Sequence, residues 1–540
     1  MKTRMLLIAS AFALLPQVAA AKAPLDARIA ALLLATPALA DPVVQASSGA
    51  LSGKVEGKAE AFLGVPYAAP PVDEGRWRDP QPAVAWRGER DATRYGATCY
   101  QSLAGAWGPY SQEFVAGGPI SEDCLTLNVW KPAGAAKGLP VLVFIHGGAF
   151  QGGAGSLPIY NGSKLAARGA VVITINYRVG VLGFLAHPEL SAESPHQSSG
   201  NFGLLDQVAA LRWVQQNVAR FGGNPANVTV SGESAGAASV NDLMVSPLGK
   251  GLFAKAVSFS GPSMGVDLTT LKAGEANGNR LGERLGAPTV AALRAVPADN
   301  LIDAAKVIPV EGGGPPPLVY RPHLDGYVLP HDPSDPKAPV VSSVPLLGGY
   351  NAAEMIDLSV RTPADFEKSV RRRYGASADQ LLALYPHATA EDAAASNLLI
   401  SRDRYLTGLI LWSQARARSS GQRIHAYLYD HPYPPARGGM AWGAFHSSGL
   451  PYIFGQLGHG DRSFTAADAA VSRQWQDRLL AFMRSGNPSL KGSAWSRVSP
   501  ASTSVMVIGD KPGMRPVVSS PARFEAFRAY AAAGGSLGLM

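Results

Sequence analysis

The sequence predicts an α/β fold built on a large, mostly parallel central sheet with helices on its flanks. Two apolar runs, at residues 140–145 and 171–175, support this prediction, because unbroken β-branched and aromatic residues are typical of strands buried on both faces. The third observation is a step from strand to helix at residues 227–240, where an apolar run passes through glycine and serine into small residues. The chain has 540 residues, 46% of them hydrophobic, which suffices for one large domain of this kind.

A helix is expected between the second and third of these segments. Apolar residues recur there at spacings of three and four, the period of a helix with one buried face. The predicted core positions are Leu204, Leu205, Val208, Leu211, Val214 and Val218. Asp206 on this helix is expected to be an ion-pair or capping partner, and Arg178 a structural hydrogen-bond donor. Residues 344–351 predict another buried strand.

The step from strand to helix carries Gly-Glu-Ser-Ala-Gly at residues 232–236, the arrangement that a nucleophile elbow requires. Glycines two positions on either side of Ser234 leave room for a sharp, strained turn, where larger side chains would collide with neighbouring strands. The sequence therefore predicts Ser234 as a nucleophile. Glu233 beside it can tune the electrostatics near a leaving group.

The first apolar run ends in His-Gly-Gly-Ala-Phe at residues 146–150, a glycine-rich turn that can present backbone N–H groups to an oxyanion. We predict that the amides of Gly147, Gly148 and Ala235 form this oxyanion hole. His146 is expected to brace the turn by hydrogen bonding, and the catalytic base is expected later in the chain.

Elbows of this type are followed along the chain by an acid and then by a histidine. Glu354 lies just past the predicted strand 344–351, where a carboxylate can reach the back of a histidine ring and hold its tautomer. His446 lies in a loop of small residues ahead of a Tyr-Ile-Phe segment, and we predict it as the base. The other histidines mostly sit beside prolines or acidic residues and are expected at the surface: His187, His196, His323, His331, His387, His425, His431 and His459.

Further motifs surround these residues. They are Phe-Leu-Gly-Val-Pro-Tyr-Ala-Ala-Pro-Pro at residues 62–71, Glu-Asp-Cys-Leu-Thr-Leu-Asn-Val-Trp at 122–130, Gly-Leu-Leu-Asp-Gln at 203–207, Phe-Gly-Gly-Asn-Pro at 221–225 and Ser-Gly-Asn-Pro at 485–488. Together with the elbow they resemble the type-B carboxylesterases of the α/β-hydrolase superfamily, which include para-nitrobenzyl esterases and cholinesterases. The resemblance extends over residues 48–525.

The resemblance implies an α/β-hydrolase fold whose long insertions form the gorge of the active site, and it implies a serine esterase. The roles that it assigns agree with those read from the residues: Ser234 as nucleophile, Glu354 as acid, His446 as base, and Gly147, Gly148 and Ala235 as the oxyanion hole.

Three departures from the family's pattern concern the surrounding loops. Ala-Glu-Met at residues 353–355 stands where the family often has Asp-Glu-Gly, and Gly449 stands where it often has a glutamate. Asp73 and Glu74 form an insertion-like step in the N-terminal proline-rich motif. The first two changes can alter the loops around the acid and the histidine, although no member of the triad is lost.

Residues 1–40 have the features of an export signal. Lys2 and Arg4 precede an apolar run at residues 5–15 that is too short to span a membrane. Small residues allow cleavage after Ala20 or after Ala40, and we favour Ala40, which leaves residues 41–540 as one domain in the periplasm or outside the cell. The alternative is that residues 24–40 form an ordinary N-terminal helix. The oligomeric state stays open.

The two cysteines, Cys99 and Cys124, indicate a single disulfide in an exported protein, and the family resemblance implies the same bridge. Neither cysteine lies in a nucleophile or metal motif. The sequence has no His-Glu-x-x-His string and no clustered Cys/His spacing, so we expect no metal and no cofactor.

Charge bears on the substrate and on partners. The formal net charge of +8 becomes +5 when residues 1–40, with four cations and one acidic residue, are removed. No basic stretch is interleaved with aromatic residues, and residues 371–373 are expected on a solvated face, so no nucleic-acid partner is expected. A basic gorge can steer acidic esters, and Arg321 is a cation expected near the pocket.

An exported, basic esterase of this kind is similar to the fumonisin esterases, which release tricarballylate from a mycotoxin and so detoxify it. We therefore expect a small-molecule ester as substrate, either a polyanionic ester of that kind or the simple esters of a generalist short-chain carboxylesterase. A non-catalytic binding module is a competing class, although such relatives have lost the serine that is intact here. A peptidase or a lipase can share this fold, but no segment of the sequence is a clear candidate for a lipase lid.

Overall fold

A mixed sheet of 11 strands forms the centre of the molecule. The computed structural model describes residues 41–261, 268–306, 319–335, 337–354 and 356–538. The predicted export signal at residues 1–40 lies outside these residues, and its removal stays a prediction. Pro42–Met540 forms one compact unit. Over the part of the chain that is described, no helix combines the length and the apolar character that crossing a membrane requires.

The strands range in length from two residues to the 11 residues of β11, near the centre of the sheet. In chain order they are β1 Val43–Ala46, β2 Gly49–Ser52, β3 Lys54–Glu56, β4 Ala59–Pro66, β5 Glu89–Asp91, β6 Thr98–Cys99, β7 Ile120–Ser121, β8 Thr126–Pro132, β9 Leu139–Ile145, β10 Val171–Ile175, β11 Gly223–Glu233, β12 Lys255–Phe259, β13 Thr269–Thr270, β14 His323–Leu324, β15 Leu346–Asn351, β16 Ile424–Asp430, β17 Ser504–Gly509 and β18 Gly513–Pro516.

The α-helices lie between and after these strands. They are Ser163–Ala166, Gly180–Phe184, Pro188–Glu193, Phe202–Asn217, Ala235–Val245, Leu271–Leu285, Val290–Ala295, Ala298–Ala305, Pro363–Tyr374, Ala378–Leu382, Ala390–Ser420, Leu450–Phe454, Ala466–Ser485 and Pro521–Ala532. The longest, Ala390–Ser420, begins with a capping box in which Thr389 and Asp392 bond each other's backbone N–H groups.

The strand order in the central sheet is β18-β17-β16-β15-β12-β11-β9-β10-β8-β4-β3. The strands from β17 to β10 in this order pair in parallel. The pairs at both ends of the sheet are antiparallel. Because parallel strands end at the same edge, the residues that follow β9, β11, β12 and β15 come together there.

The four strands predicted from the sequence are present as β9, β10, β11 and β15. The prediction of a mostly parallel sheet flanked by helices is confirmed, with the qualification that the edges are antiparallel. The predicted helix runs from Phe202 to Asn217, and its predicted core positions are buried except Leu205, which is half-buried. Their burial is what the apolar stripe of such a helix predicts.

Arg178 and Asp206 are structural partners of each other, which fits the roles predicted for them. The guanidinium donates two hydrogen bonds to the carboxylate, from Nε at 2.8 Å and from Nη2 at 2.7 Å. Both side chains are buried. Such a paired, bidentate contact is the form in which buried charges are tolerated, and it ties the segment after β10 to the helix Phe202–Asn217.

The prediction that the remaining histidines lie at the surface is wrong for four of them. His187, His323, His425 and His431 are at most 5% exposed. His431, for example, lies between two carboxylates, with Nδ1 2.8 Å from Asp510 and Nε2 3.0 Å from Asp468. A neighbouring proline or acidic residue does not place a histidine at the surface, since partners distant in sequence decide its burial.

Cys99 and Cys124 form a disulfide. The bridge closes residues 99–124 into a segment that we call the disulfide loop. Gln101 also holds the base of this loop, because its amide exchanges two hydrogen bonds with the backbone of Gly153, at 2.8 and 2.7 Å. The disulfide loop is thereby attached to the glycine-rich segment that follows β9.

Candidate active site

Ser234 lies in the turn between β11 and the helix Ala235–Val245. Its φ of 56° and ψ of −121° fall outside the conformations that most residues adopt. The N–H of Ser234 donates to the carbonyl of Phe259 in the neighbouring strand β12 at 3.0 Å, which helps to hold the strained turn in place. The turn therefore has the geometry expected of a nucleophile elbow.

The glycines around Ser234 are required by backbone contacts. A Cβ atom on Gly236 would lie 2.1 Å from the carbonyl oxygen of Ile145 in β9. A Cβ atom on Gly232 would lie 2.2 Å from the carbonyl oxygen of Gly236. Packed backbone cannot move aside as the end of a flexible side chain can, so these positions exclude larger residues. The close approach brings Ala235 and the turn after β9 to the same cavity.

The glycine-rich turn after β9 has an unusual backbone. Gly148, Ala149 and Phe150 all have positive φ, of 114°, 56° and 62°. Nδ1 of His146 donates to the carbonyl of Gly147 at 2.8 Å, so the ring braces the turn as predicted. Burial lowers the pKa of His146 to about 4, which keeps the ring neutral near neutral pH.

The predicted oxyanion donors, Gly147, Gly148 and Ala235, line one cavity together with Ser234. In the turns and loops that the structure describes, none of these three amides donates to a backbone carbonyl. Amides that have no backbone acceptor and lie beside one cavity suit the stabilisation of an oxyanion. Their role in an oxyanion hole stays a prediction.

Glu354 is fully buried just after β15, and both oxygens of its carboxylate are engaged. Oε1 accepts from the hydroxyl of Ser260 at 2.5 Å and from the N–H of Asn351 at 2.9 Å. Oε2 accepts from Nδ1 of His446 at 2.5 Å. The predicted acid and base are therefore in direct contact, in the arrangement that fixes the tautomer of a catalytic histidine.

His446 has a carboxylate near each of its ring nitrogens. Nδ1 bonds Glu354, while Nε2 lies 3.2 Å from Oε1 of Glu233. The same Oε1 accepts from the hydroxyl of Ser447 at 2.7 Å, and Ser447 has a positive φ of 73°. Glu233 therefore lies beside the ring nitrogen that Glu354 does not contact, which is the nitrogen predicted to exchange a proton with Ser234.

The electrostatics of His446 follow from these neighbours. Burial of the ring acts to lower its pKa, but the carboxylates of Glu354 and Glu233 together raise the pKa to about 9. Burial raises the pKa of Glu233, and His446 and Ser447 oppose this. The two neighbouring carboxylates therefore favour the protonated form of His446.

A cavity of about 470 Å³ has Ser234 and His446 in its wall. The disulfide loop forms one side of the cavity. The larger apolar and aromatic side chains in its lining are Trp107, Tyr110, Phe114, Phe150, Leu157 and Tyr160. Such a lining, with a few polar groups at one end, is typical of a site for a small organic molecule.

His446 is the one basic side chain in the described lining of the cavity. Among the described residues, the cavity is lined by Glu233 and by no lysine or arginine. The internal segments outside the described residues, such as 262–267 and 307–318, contain neither residue type in their sequence. Arg321, expected near the pocket, does not line it. It follows Tyr320, whose carbonyl accepts from Gln151 in the cavity wall at 2.6 Å, so it is attached next to that wall.

The loops around the acid and the histidine are tied together by the backbone despite their departures from the family's pattern. The N–H of Ala353 donates to the carbonyl of Ala444 at 2.9 Å. Nδ2 of Asn351 donates to the carbonyl of Phe445 at 2.6 Å. Met355 lies outside the described residues. These bonds hold Glu354 and His446 in contact without the residues that the family often has nearby.

Sequence reasoning missed two serines of the site. Ser260 follows β12, so its place at the carboxyl edge of the sheet was a usable signal. Ser447 is adjacent to His446, but nothing in the sequence shows that its hydroxyl bonds Glu233. Among the residues that the structure describes, no group of three or more His, Cys, Asp or Glu is placed to hold a metal ion.

The model of the carboxylesterase family matches residues 40–522 of the chain. Fumonisin B1 esterase of Sphingopyxis macrogoltabida is 41% identical over 419 residues, which cover 76% of this chain and 74% of that protein. Para-nitrobenzyl esterase of Bacillus subtilis (strain 168) is 36% identical over 474 residues, 84% of this chain and 92% of that protein. A solved structure of PNB esterase aligns with a TM-score of 0.73 at 31% identity, covering 90% of this chain and 100% of that chain.

Proposed function

Because the chain belongs to the carboxylesterase family and is a carboxylic ester hydrolase, we propose that it is an exported serine esterase with a triad of Ser234, His446 and Glu354. One observation carries the proposal. The strained Ser234 and the Glu354-bonded His446 line a single cavity, together with the amides of Gly147 and Gly148.

The reaction is an acyl transfer in two halves. In the first, Nε2 of His446 takes the proton of Ser234 as Oγ attacks the ester carbonyl, and the backbone amides bind the resulting oxyanion. The protonated ring then gives this proton to the oxygen of the leaving alcohol, and the C–O bond breaks. In the second half, water loses a proton to the same ring and attacks the acyl-enzyme, which releases the acid and restores Ser234.

Glu354 orients the ring and stabilises its positive charge without taking its proton. Its buried position suits this role, because a low local dielectric strengthens its attraction to the imidazolium. The hydroxyl of Ser260 and the N–H of Asn351 keep the carboxylate fixed.

Two ester classes compete as substrates. The relative named fumonisin B1 esterase, at 41% identity, supports release of tricarballylate from a fumonisin-type ester. The apolar lining and the absence of a lysine or arginine from the described lining support neutral esters of a generalist carboxylesterase. For a polyanionic acid to bind, a lysine or arginine that pairs with its remaining carboxylates would have to lie beyond the described lining.

The experiment measures kcat/KM on a tricarballylate ester and on a neutral acetate ester, at low and high salt, with Ser234→Ala as the blank. We expect the substitution to lower kcat by at least about 10³-fold. A preference for the polyacid that fades with salt would assign the detoxifying esterase. Comparable, salt-insensitive rates would assign the generalist. Activity that survives Ser234→Ala would contradict the triad itself.

Export is the second part of the proposal, and it rests on residues 1–40. Expression of the full chain in a bacterium, followed by mass spectrometry of the periplasmic protein, tests it. A mature N-terminus after Ala40 or Ala20 is the expected result. A full-length protein confined to the cytoplasm would contradict export while leaving the esterase assignment intact.

A further inference from the structure

A buried ion pair joins the disulfide loop to residues 433–462, which carry His446 and which we call the His446 segment. Nε of Arg462 donates to Oε1 of Glu113 at 3.0 Å, and the side chains are 6% and 5% exposed. Ser111 donates to the same oxygen at 2.8 Å and accepts from Nη2 of Arg462. Nη1 of Arg462 donates to the carbonyl of Pro434 at 2.5 Å. All three nitrogens of the guanidinium therefore have a partner in one of the two segments.

The same two segments meet through aromatic rings that line or border the cavity. The rings of Tyr110 and Phe114 pack edge-on against Phe445, with centroids 5.7 and 5.5 Å apart. Phe445 directly precedes His446, and Tyr110 and Phe114 both line the cavity. The contacts of Tyr110 and Phe114 with Phe445 therefore determine how far these two rings of the cavity wall lie from His446.

Tyr433 connects the rings to the ion pair. Its ring packs edge-on against Phe114 at 5.5 Å, and the guanidinium of Arg462 lies 4.7 Å from the ring centroid on its face. Arg462, Tyr433 and Phe114 are thus in consecutive contact, and Phe114 lines the cavity. Tyr433 therefore contacts both the ion pair and a residue of the cavity wall.

The disulfide loop is anchored differently at its two ends. At its base it has the Cys99–Cys124 bridge and the bonds between Gln101 and Gly153. Near the base Glu122 also pairs with Arg76, and farther out, beside Phe114, the Glu113–Arg462 pair is a second charged anchor. A buried ion pair adds little net stability, because desolvation offsets much of its attraction. Its hydrogen bonds nevertheless fix the relative position of the two segments that it joins. Geometry is what a cavity wall needs.

We propose that the Glu113–Arg462 pair determines substrate size by holding Tyr110 and Phe114 against the His446 segment. We call the pair the latch. With the latch intact, the ester group that faces this wall must be small or flat. With the latch broken, the wall can move outward and larger groups fit. The inference rests on the proposed esterase function, and its residues are positioning residues that do not touch the reacting atoms.

The test compares size preference in wild type, Glu113→Gln, Arg462→Lys and the double variant Glu113→Gln/Arg462→Met. The acyl side is probed with para-nitrophenyl acetate and hexanoate, which share a leaving group, and the alcohol side with methyl and benzyl butyrate. In the double variant we expect the large-to-small ratio of kcat/KM to rise about fivefold on one of the two sides. The rise should lie mainly in KM for the larger ester, with kcat for the acetate nearly unchanged.

The control is a second ion pair away from the cavity. Lys131 lies 2.6 Å from Glu60, with side chains 11% and 15% exposed, and neither residue lines the cavity. The double variant Lys131→Met/Glu60→Gln should lose thermal stability and keep the wild-type size preference. A ratio that changes equally in both double variants would show general loosening and overturn the latch.

The single variants protect the test against misfolding of the double variant. Glu113→Gln keeps the shape of the side chain and Arg462→Lys keeps the charge, so we expect both to fold and to show smaller rises in the ratio. An unchanged ratio in folded single variants overturns the proposal. If Ser234→Ala abolishes esterase activity but the large-to-small ratio of kcat/KM is unchanged in the latch variants, only the latch is contradicted. If esterase activity does not depend on Ser234, the proposed function is contradicted.

Discussion

Ser234 and His446 line the same cavity but are held by different kinds of contact. The serine turn is enclosed by backbone, and a Cβ on Gly236 would lie 2.1 Å from the carbonyl oxygen of Ile145. On the histidine side, the nearest atoms to a Cβ on Gly449 are side-chain atoms of Asn351 and Tyr429, at 3.5 Å. The serine half is thus enclosed by tightly packed backbone, while the histidine half is held by backbone and side-chain hydrogen bonds between loops.

The largest effect is expected from adding one methyl group to each half. Gly236→Ala should lower the free energy of unfolding by about 4 kcal/mol or more and abolish activity, because the clash is with backbone. Gly449→Ala, its matched control, should be nearly neutral because its contacts are of ordinary length. Urea denaturation and kcat/KM of both variants measure this. Equal tolerance of the two substitutions would remove the contrast between the halves.

Removing the disulfide tests how much the Cys99–Cys124 bridge contributes to holding the disulfide loop. Cys99→Ser/Cys124→Ser should lower the free energy of unfolding by about 3 kcal/mol, since the bridge restricts the unfolded chain. We also expect a higher KM, because the loop lines the cavity. Urea denaturation with and without reductant measures the first effect. If reductant also destabilised the double serine variant, the effect would not come from this bridge.

A smaller loss is expected at Ser260, which fixes the acid from the neighbouring strand. Ser260→Ala removes a hydrogen bond to the buried carboxylate of Glu354 and should lower kcat about tenfold, with little change in KM. Ser258→Ala is the matched control, because this buried serine lies two residues earlier, within β12, and bonds the carbonyl of Ala237 instead. Equal losses in both variants would indicate a general effect on β12.

The finest test concerns protonation of His446, which must be neutral to accept a proton. Burial works to lower its pKa, but Glu354 and Glu233 raise it to about 9, so kcat/KM should increase as the pH rises through that value. Glu233→Gln removes one of the two charges that favour the imidazolium. The acid limb of the pH profile should then move to lower pH.

The other titratable groups near Glu233 and Glu354 do not account for such a shift of the acid limb. Five tyrosines interact electrostatically with Glu233 or Glu354, and burial raises the pKa of each of them: Tyr110, Tyr160, Tyr177, Tyr405 and Tyr427. They stay neutral through the range of the assay. A pH profile that is the same in Glu233→Gln and in the remote control Glu60→Gln would mean that Glu233 does not act on His446.

The contrast between the halves also explains which predictions succeeded. The elbow is a local motif, since Gly232, Ser234 and Gly236 act through a turn whose strand and helix are contiguous in sequence. The surface prediction for histidines failed at His425 and His431 because burial depends on elements far away in the chain. His425 lies in β16, and the rings of Phe482 and Trp495 lie 6.4 and 6.3 Å from its own.

Charge near the cavity gave a similar lesson. The net charge of +8 favoured a basic gorge, yet the described residues that line the cavity include Glu233 and no lysine or arginine. Net charge reports the whole surface, whereas a binding site responds to the few groups that face it. The sequence order of the cations carries no information on which of them reach the cavity.

By itself the sequence determined the central strands, the elbow, the glycine-rich turn and the family, because each is written in contiguous residues whose period or spacing has one physical meaning. Only the tertiary structure decided that Ser260 bonds Glu354, that Ser447 bonds Glu233, and that Glu113 pairs with Arg462. These contacts join residues 94 to 349 positions apart. No local pattern encodes such pairs, since they form only when packing of the sheet and its loops brings the segments together.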